Sequence, residues 1–244
     1  MELTNNSVLI TGGATGIGLE LARQLLERGN EVIICGRRRE RLEEAKTMHP
    51  GLHARVANVA DPGDREDLLG FIERHFPRMN VLVNNAGVQH LVDFKKPEHL
   101  QRAKEEIEIN LLAPMQLTNL FLPHLQRQPS AAIVNVTSGL GFAPLARMPV
   151  YCATKAALHS ITMSLRHQLR DTNVKVFETI PPIVTSELGS AHRPAEANRT
   201  AMPTGAAVTE MLEALERDEY EYAIGEAKRL RAAREELFGV MNRG

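Results

Sequence analysis

The sequence predicts an α/β fold in which a parallel sheet is covered by helices on both faces. Short apolar runs recur along the 244-residue chain, and helical repeats of apolar residues separate them. The first apolar run ends in a cluster of glycines that opens a helix. No linker divides the chain, so we expect a single domain over 1–244. Right-handed crossovers between successive strands then make the sheet doubly wound.

The individual elements follow from the same patterns. Predicted strands cover residues 7–11, 31–35, 52–57, 80–83, 131–136, 174–179 and 220–225. The first predicted helix runs from the glycine cluster up to residue 29, and the third runs from a cap at Asp61 to residue 76. The helix that carries Tyr151 and Lys155 extends to residue 170. The remaining predicted helices cover 37–48, 97–126, 204–217 and 226–241. The polar stretch 186–203 is interrupted by glycine and proline, which predicts a mobile loop.

Composition excludes several classes of function. The net charge of −1 argues against a nucleic-acid partner. The sequence contains no run of about 20 apolar residues, so we expect no membrane span. The N-terminus lacks the basic start and apolar run of a signal peptide. Cys35 and Cys152 form no CxxC pair, so neither a disulfide framework nor a metal site is expected. These features predict a cytoplasmic protein.

The glycine cluster predicts a nucleotide site. Gly12, Gly16 and Gly18 follow the first strand in a Gly-x-x-x-Gly-x-Gly spacing. Glycines there let the backbone approach a pyrophosphate, which the N-terminus of the next helix can bind. The alternative is a tight turn between strand and helix. Because ligands bind outside the carboxyl ends of strands in such sheets, we expect a Rossmann-type dinucleotide site at this edge.

The end of the second strand predicts the kind of dinucleotide. It reads Gly36-Arg37-Arg38-Arg39, where an acidic residue would bind an adenosine ribose hydroxyl. Cations at a helix start oppose the helix dipole at about 0.3–1 kcal/mol each, and a phosphate there would remove that cost. The alternative is a solvated charge run, since Arg39 has Glu43 four residues on. We expect Arg37 and Arg38 to bind a 2′-phosphate, so that NADP(H) is preferred and NAD(H) remains possible.

Tyr151 and Lys155 form a Tyr-x-x-x-Lys pair within a predicted helix. Residues four apart lie on one helix face, so the ammonium can sit near the phenol. Lowering a phenol pKa from about 10 by three units requires roughly 4 kcal/mol. An ammonium about 4 Å away at an effective dielectric of about 20 supplies roughly that amount. The pair is therefore a candidate acid/base device, although such spacing also occurs by chance.

Taken together, these motifs resemble the short-chain dehydrogenase/reductase family in its short form. The resemblance covers essentially the whole chain. It rests on Thr11-Gly12-x-x-x-Gly16-Ile17-Gly18, on Asn84-Asn85-Ala86-Gly87, and on Asn110, Ser138, Tyr151 and Lys155 in that order. The short loop and the charged tail also resemble those of bacterial members linked to D-alanylation of lipoteichoic acid.

The resemblance implies a catalytic role for four residues. Tyr151 would donate the proton in reduction and accept it in oxidation. Lys155 would lower the pKa of Tyr151 and bind the nicotinamide ribose. Ser138 would hydrogen-bond the substrate oxygen as charge develops on it. Asn110 would position Lys155 through a water molecule and a local helix irregularity. The alternatives are that Ser138 caps the next element and that Asn110 is a surface residue.

The resemblance also implies a cofactor path along the sheet edge. It runs from the pyrophosphate at the glycine turn to the adenine, the adenosine ribose with the central strand, and finally the nicotinamide carboxamide. The residues at these places are, in that order, Gly12, Thr15, Gly16, Ile17 and Gly18; Asn58 and Val59; Asn84, Ala86 and Gly87; and Pro181, Ile183 and Thr185.

Three positions depart from the family pattern. Asn58 replaces the usual aspartate after the third strand, which weakens the expected adenine contact. Pro182 replaces the usual glycine, and proline has no N–H, so the backbone near the carboxamide must differ. Thr15 stands where many NADP-preferring members carry a basic residue. Phosphate binding would then depend on Arg37 and Arg38.

The expected function is therefore an NADP(H)-dependent oxidoreductase that interconverts a ketone or aldehyde and an alcohol, with a small molecule as its partner. A non-catalytic NADP(H)-binding regulator is the alternative, and an epimerase or dehydratase is a further one. The helix around 111–125 is apolar around most of its circumference, which predicts a homodimer or homotetramer. Residues expected around the substrate are Gln89, His90, Leu140, Phe142, Arg147, Met148, Leu188, His192 and Arg193.

Overall fold

A computed structural model describes residues 1–189 and 199–243. Seven strands in this part of the chain form one parallel sheet in the order β3-β2-β1-β4-β5-β6-β7. The strands are β1 (Ser7–Thr11), β2 (Glu31–Gly36), β3 (His53–Val56), β4 (Val81–Asn84), β5 (Ala131–Val136), β6 (Val174–Ile180) and β7 (Glu221–Ala223). The predicted α/β class is confirmed.

The strand order explains where a ligand can bind. The chain first moves outward from β1 to β2 and β3, and then returns to place β4 on the other side of β1. Loops after β1 and β4 therefore leave the sheet in opposite directions and open a crevice between them. The glycine cluster follows β1, and Asn85 to Gly87 follow β4. Both segments lie at this crevice.

Helices cover both faces of the sheet. They are α1 (Gly16–Glu27), α2 (Arg39–Met48), α3 (Pro62–His75), α4 (Leu100–Ile107), α5 (Ala113–Gln126), α6 (Pro149–Gln168), α7 (Thr204–Glu216), α8 (Ala227–Ala233) and α9 (Phe238–Met241). One apolar core packs α1, α2 and α7 on the sheet, and a second core packs α3, α5 and the end of α6 on its other face. No helix within the described ranges is long and apolar enough to span a membrane.

The structure corrects the predicted helices in three places. The expected helix over 97–126 begins as a 3-10 turn and contains a π-helical turn at Glu108–Leu112. The second helix begins at Arg39, two residues later than expected. The single tail helix expected over 226–241 divides at Arg234, whose φ of 48° interrupts the helix. Of the loop expected over 186–203, residues 190–198 lie outside the described residues.

Candidate active site

The glycine turn after β1 is shaped by close backbone approaches. Gly12 and Gly16 have φ values of 64° and 56°, a region that glycine adopts without strain. A Cβ on Gly12 would lie 2.9 Å from the Cα of Ala86, and a Cβ on Gly18 would overlap the carbonyl of Gly12. Thr15 immediately precedes α1 as its N-cap residue. The turn therefore exposes backbone at a helix N-terminus, a geometry that fits a pyrophosphate.

Two residues that belong to the sequence motifs, Thr11 and Asn85, hold this turn in place, a role that the sequence analysis did not give them. Thr11 accepts hydrogen bonds at its Oγ1 from the backbone N–H groups of Asn85 and Ala86, both at 3.0 Å. The side-chain amide of Asn85 donates to the carbonyls of Thr11 at 2.9 Å and Gly12 at 3.2 Å. These bonds join the ends of β1 and β4 across the crevice. The sequence feature that could have indicated this link is the polar residue that ends β1, Thr11, and the one that follows β4, Asn85.

Asn84 has a different environment from its neighbours. Its side chain is buried and donates to Asn135 Oδ1 at 2.9 Å, which places the amide between the sheet and α5. Its Oδ1 has no hydrogen-bond partner among the described residues. Ala86 and Gly87, by contrast, form the partly exposed rim of the crevice. Asn84 itself is 2% exposed, so the exposed surface of this segment comes from Ala86 and Gly87.

The arginines after β2 lie at the far end of the crevice. Gly36 has open space where a side chain would be, since no atom lies within 4 Å of its Cβ position. Arg38 donates to Thr15 Oγ1 at 3.2 Å and pairs with Glu187 at 3.2 Å. Arg37 pairs with Glu105 at 3.2 Å. The structure thus brings Thr15 and Arg38 together, as a shared phosphate site requires.

The expected adenine position contains a compact turn. The backbone N–H of Asn58 donates to Asp64 Oδ2 at 2.7 Å, and Asn58 Oδ1 accepts from Ala60 N–H at 3.3 Å. The side chain of Val59 is buried in the core, and its carbonyl accepts from Arg65 at 2.7 Å. Asp61 caps α3 by accepting from the N–H of Asp64 at 3.0 Å, as predicted.

The segment after β6 crosses the crevice. The carbonyl of Pro181 accepts from the N–H of Gly139 at 3.2 Å, while Ile183 is exposed. Thr185 is tied to the start of α7, because its carbonyl accepts from Thr204 Oγ1 at 2.6 Å. A Cβ on Gly16 would lie 3.2 Å from Ser186 Cβ, so the segment passes over the glycine turn.

Asn110 sits in the π-helical turn and is fully buried. Its Oδ1 accepts from Val88 N–H at 2.9 Å, and its Nδ2 donates to the Val88 carbonyl at 2.8 Å and to Thr154 at 3.3 Å. The surface position considered for Asn110 is therefore wrong. The side chain links the loop after β4 to α6, one residue before Lys155.

Lys155 is buried, and its Nζ donates to the carbonyl of Val136 at 2.9 Å. Its ammonium lies 5.8 Å from the centroid of the Tyr151 ring. Burial lowers the pKa of Lys155 to about 8, and the charge of Glu178 acts in the opposite direction. The ammonium therefore persists at neutral pH beside a buried tyrosine, which is the arrangement that acid/base chemistry needs.

Ser138 lies at the end of β5 and is 8% exposed. Its Oγ accepts from the N–H of Leu140 at 3.2 Å, so it does cap the 3-10 turn Gly139–Gly141. That bond uses a lone pair, and the hydroxyl hydrogen can still be donated to another oxygen. The capping alternative is therefore compatible with a role toward a substrate.

Some of the residues expected around the substrate form one apolar cluster. Leu140 and Met148 pack with Tyr151 and Cys152, and Met241 from α9 packs against them. Phe142 belongs instead to a separate cluster under α8. His192 and Arg193 lie outside the residues that the structure describes. Tyr151 is thus packed against apolar side chains on this side.

Comparisons with known proteins agree with this geometry. A family model described as short chain dehydrogenase matches residues 6–197. The uncharacterized oxidoreductase DltE of Bacillus subtilis is 58% identical over 194 residues, which is 79% of this chain and 77% of that protein. This relative agrees with the bacterial subgroup that the sequence resembles.

Solved structures share the fold. A short chain dehydrogenase from Burkholderia cenocepacia in complex with NADP has a TM-score of 0.83 at 24% identity and covers 96% of this chain and 94% of its own. A short chain dehydrogenase/reductase from Burkholderia phymatum in complex with NAD has a TM-score of 0.86 at 19% identity, and the match covers 100% of this chain and 97% of that one. The chain belongs to the short-chain dehydrogenase family and is an NAD(P)-dependent oxidoreductase.

Proposed function

We propose that the protein is an NADP(H)-dependent oxidoreductase that interconverts a ketone or aldehyde and an alcohol, with Tyr151 as its acid/base. The observation that carries this proposal is the position of the buried Lys155 ammonium, 5.8 Å from the centroid of the Tyr151 ring. Ser138 follows β5 on the same side of the sheet, at the carboxyl end where the crevice lies.

Each residue then has a defined task. Tyr151 gives its proton to the substrate oxygen during reduction, and the Lys155 ammonium stabilises the phenolate that remains. Ser138 donates a hydrogen bond to the same oxygen as negative charge develops on it. Asn110 fixes the position of α6 relative to the loop after β4. The nicotinamide cofactor supplies or accepts the hydride.

The cofactor would lie along the crevice. The glycine turn and the N-terminus of α1 would hold the pyrophosphate, and the loops after β3 and β4 would hold the adenosine. Arg37, Arg38 and Thr15 would bind the 2′-phosphate in the open space beside Gly36. The arginines are paired with Glu105 and Glu187, but exposed ion pairs contribute only about 0–1 kcal/mol, so a phosphate can replace them.

A screen of carbonyl compounds tests this function. The purified protein is mixed with NADPH and a panel of ketones and aldehydes, and the loss of NADPH absorbance is followed. We expect turnover with at least one compound. Cofactor binding without turnover across a broad panel would favour the regulatory alternative and contradict the proposal.

We also propose a homo-oligomer, a dimer or tetramer. Most apolar residues of α5 are used by the core, but Leu100, Ile107 and Met115 remain 71%, 40% and 41% exposed. Their spacing of seven and eight residues places them on one side of the α4–α5 segment. Met163 on α6 is 51% exposed as well.

Sedimentation velocity at micromolar concentration tests the oligomer. We expect a dimer or tetramer for the wild type and a smaller species for Ile107→Glu/Met115→Glu, because buried carboxylates oppose association. Met48→Glu is the control, since Met48 is 59% exposed on α2. A monomeric wild type would contradict this proposal.

A further inference from the structure

A second buried polar cluster lies between α6 and the sheet, one helical turn beyond Lys155. Its centre is Glu178 on β6, which is fully buried. Glu178 Oε1 accepts from Thr137 Oγ1 at 2.7 Å, and Oε2 lies 2.7 Å from His159 Nδ1. His159 is four residues after Lys155 on α6, and Thr137 follows Val136, whose carbonyl accepts from the lysine. The Glu178 carboxylate therefore bonds to His159 and Thr137, and the Lys155 ammonium lies one helical turn before His159 and bonds to the residue before Thr137.

The charges around Glu178 come from three further elements. His159 contacts it from α6, and Lys155 lies one turn before His159 on the same helix, with its Nζ bonded to the carbonyl of Val136 next to Thr137. Glu221 is its register partner on β7. Arg231 of α8 donates to Glu221 Oε1 at 2.7 Å and so neutralises that carboxylate. Within the described part of the chain, the negative charge of Glu178 is therefore balanced by Lys155 and, when it is protonated, by His159.

The contacts in this cluster fit an internal network of ion pairs and hydrogen bonds better than a metal-ion site. Potential ligand atoms of His159, Glu178 and Glu221 lie within 4.8 Å of one another. Each residue already has a protein partner, and Arg231 brings a positive charge to Glu221, which opposes a bound cation. The contacts describe an internal network of ion pairs and hydrogen bonds.

On the basis of the proposed function, we propose that Glu178 is a positioning residue whose buried negative charge, oriented by His159 and Thr137, keeps Lys155 charged beside Tyr151. Burial of Lys155 lowers its pKa and Glu178 raises it, so the two effects oppose each other. Without the carboxylate, the neutral amine forms at lower pH. A neutral amine gives the Tyr151 phenolate no electrostatic support.

His159 makes this effect dependent on pH. Its hydrogen bond to Glu178 raises the pKa of the imidazole, and its side chain is 17% exposed, so it can exchange protons with water. Protonated His159 cancels the charge of Glu178. Neutral His159 leaves that charge to act on Lys155. The network therefore supports the charged lysine most strongly above the pKa of His159.

The test follows the protonation of Lys155 directly. Protein labelled with 13C at the lysine ε-carbons is titrated by NMR, and the Lys155 resonance is identified by its loss in Lys155→Met. We expect Glu178→Gln to lower the midpoint of Lys155 by about one pH unit, the shift that removal of one opposite charge about 12 Å away causes at an effective dielectric of about 20. Glu221→Gln/Arg231→Gln is the matched control and should leave the midpoint unchanged, because it removes a neutral ion pair as a whole.

A second pair of variants covers the case in which Glu178→Gln does not fold. His159→Lys places a permanent positive charge opposite Glu178 and should lower the Lys155 midpoint. His159→Asn, which is neutral, should leave it close to the wild-type value. An unchanged midpoint in a folded Glu178→Gln protein, or in His159→Lys, would overturn the proposal and leave the cluster a purely structural network.

The titration requires no turnover, so it is independent of the proposed reaction. If the carbonyl screen fails, the Lys155 midpoint can still shift as expected. If the screen succeeds, the alkaline limb of the kcat/KM profile in Glu178→Gln should move to lower pH by the same amount as the NMR midpoint. A profile that does not move would also contradict the role of Glu178.

Discussion

The two ends of the crevice are built in different ways. At the tyrosine end, Asn110 and Lys155 are buried, and each is fixed by short hydrogen bonds to backbone carbonyls. At the arginine end, the side chains of Arg37 and Arg38 are 49% and 54% exposed and make single ion pairs with glutamates. One end is specified by desolvation and buried hydrogen bonds, and the other by exposed ion pairs and the single hydrogen bond from Arg38 to Thr15.

This difference determines how much a single substitution can change. A buried polar group that loses its partner costs about 1–3 kcal/mol, whereas an exposed ion pair contributes about 0–1 kcal/mol. Changes at the tyrosine end should therefore affect the chemical step strongly. Changes at the arginine end should alter which cofactor binds and leave the chemical step nearly unchanged.

The largest effect is expected for Tyr151→Phe. Loss of the phenol hydroxyl removes the proton donor, and general acid/base catalysis typically contributes about 10²–10⁴-fold. We expect kcat with a substrate from the screen to fall at least a hundredfold while NADP(H) affinity, measured by calorimetry, is retained. Tyr220→Phe is the control. It removes the same atom from a tyrosine that stacks on Phe177 and immediately precedes β7, away from the carboxyl ends of the strands. Retention of more than about a tenth of wild-type kcat, a loss below 1.4 kcal/mol, would refute the role of Tyr151.

An intermediate effect is expected for Arg37→Ala/Arg38→Ala. Charge-assisted hydrogen bonds contribute about 1.5–3 kcal/mol each, so two of them favour NADP(H) over NAD(H) by roughly a hundredfold or more before ordering costs. The double variant should lose most of this preference in calorimetry with both cofactors and bind NAD(H) almost as before. Arg28→Ala is the control, because Arg28 pairs with Glu216 on the surface. Equal affinities for the two cofactors in the wild type would mean that the arginines are only a solvated helix start.

The smallest effect is expected for Glu187→Gln. Glu187 pairs with both Arg38 and Arg41, so a 2′-phosphate must displace its carboxylate. Removing that charge should strengthen NADP(H) binding by up to about fivefold, which corresponds to an exposed ion pair, and leave NAD(H) binding unchanged. Glu44→Gln is the matched control, since Glu44 pairs with Arg41 Nη1 whereas Glu187 pairs with Arg41 Nη2. Weaker NADP(H) binding in Glu187→Gln would show that the carboxylate assists the cofactor site.

Local patterns predicted the elements well. The first and fifth strands have the predicted bounds, because a buried strand needs an apolar run that a polar residue or glycine ends. The cap at Asp61 was also predicted, since its partner is only three residues away. The break at Arg234 was not predicted, and the irregularity at Asn110 was expected only from the family resemblance, because packing against neighbouring elements decides such features.

Contacts between distant residues were the main omission. The pair between Arg38 and Glu187 joins residues 149 positions apart, and no local spacing around Arg38 indicated it. The pairing of His159 with Glu178 joins a helix to a strand 19 positions later. Neither residue belongs to a motif, so only their placement on facing surfaces of α6 and β6 made them neighbours.

The sequence by itself determined the fold class, the succession of strands and helices along the chain and the residues of the Tyr-x-x-x-Lys pair, because these depend on local periodicity and on residues close in the chain. The tertiary structure decided which polar side chains face the crevice and which are buried. Asn84 points into the core although Asn85, its neighbour, ties the glycine turn. The reason is physical: the burial of a polar group is determined by all elements packed around it, and these come from the whole length of the chain.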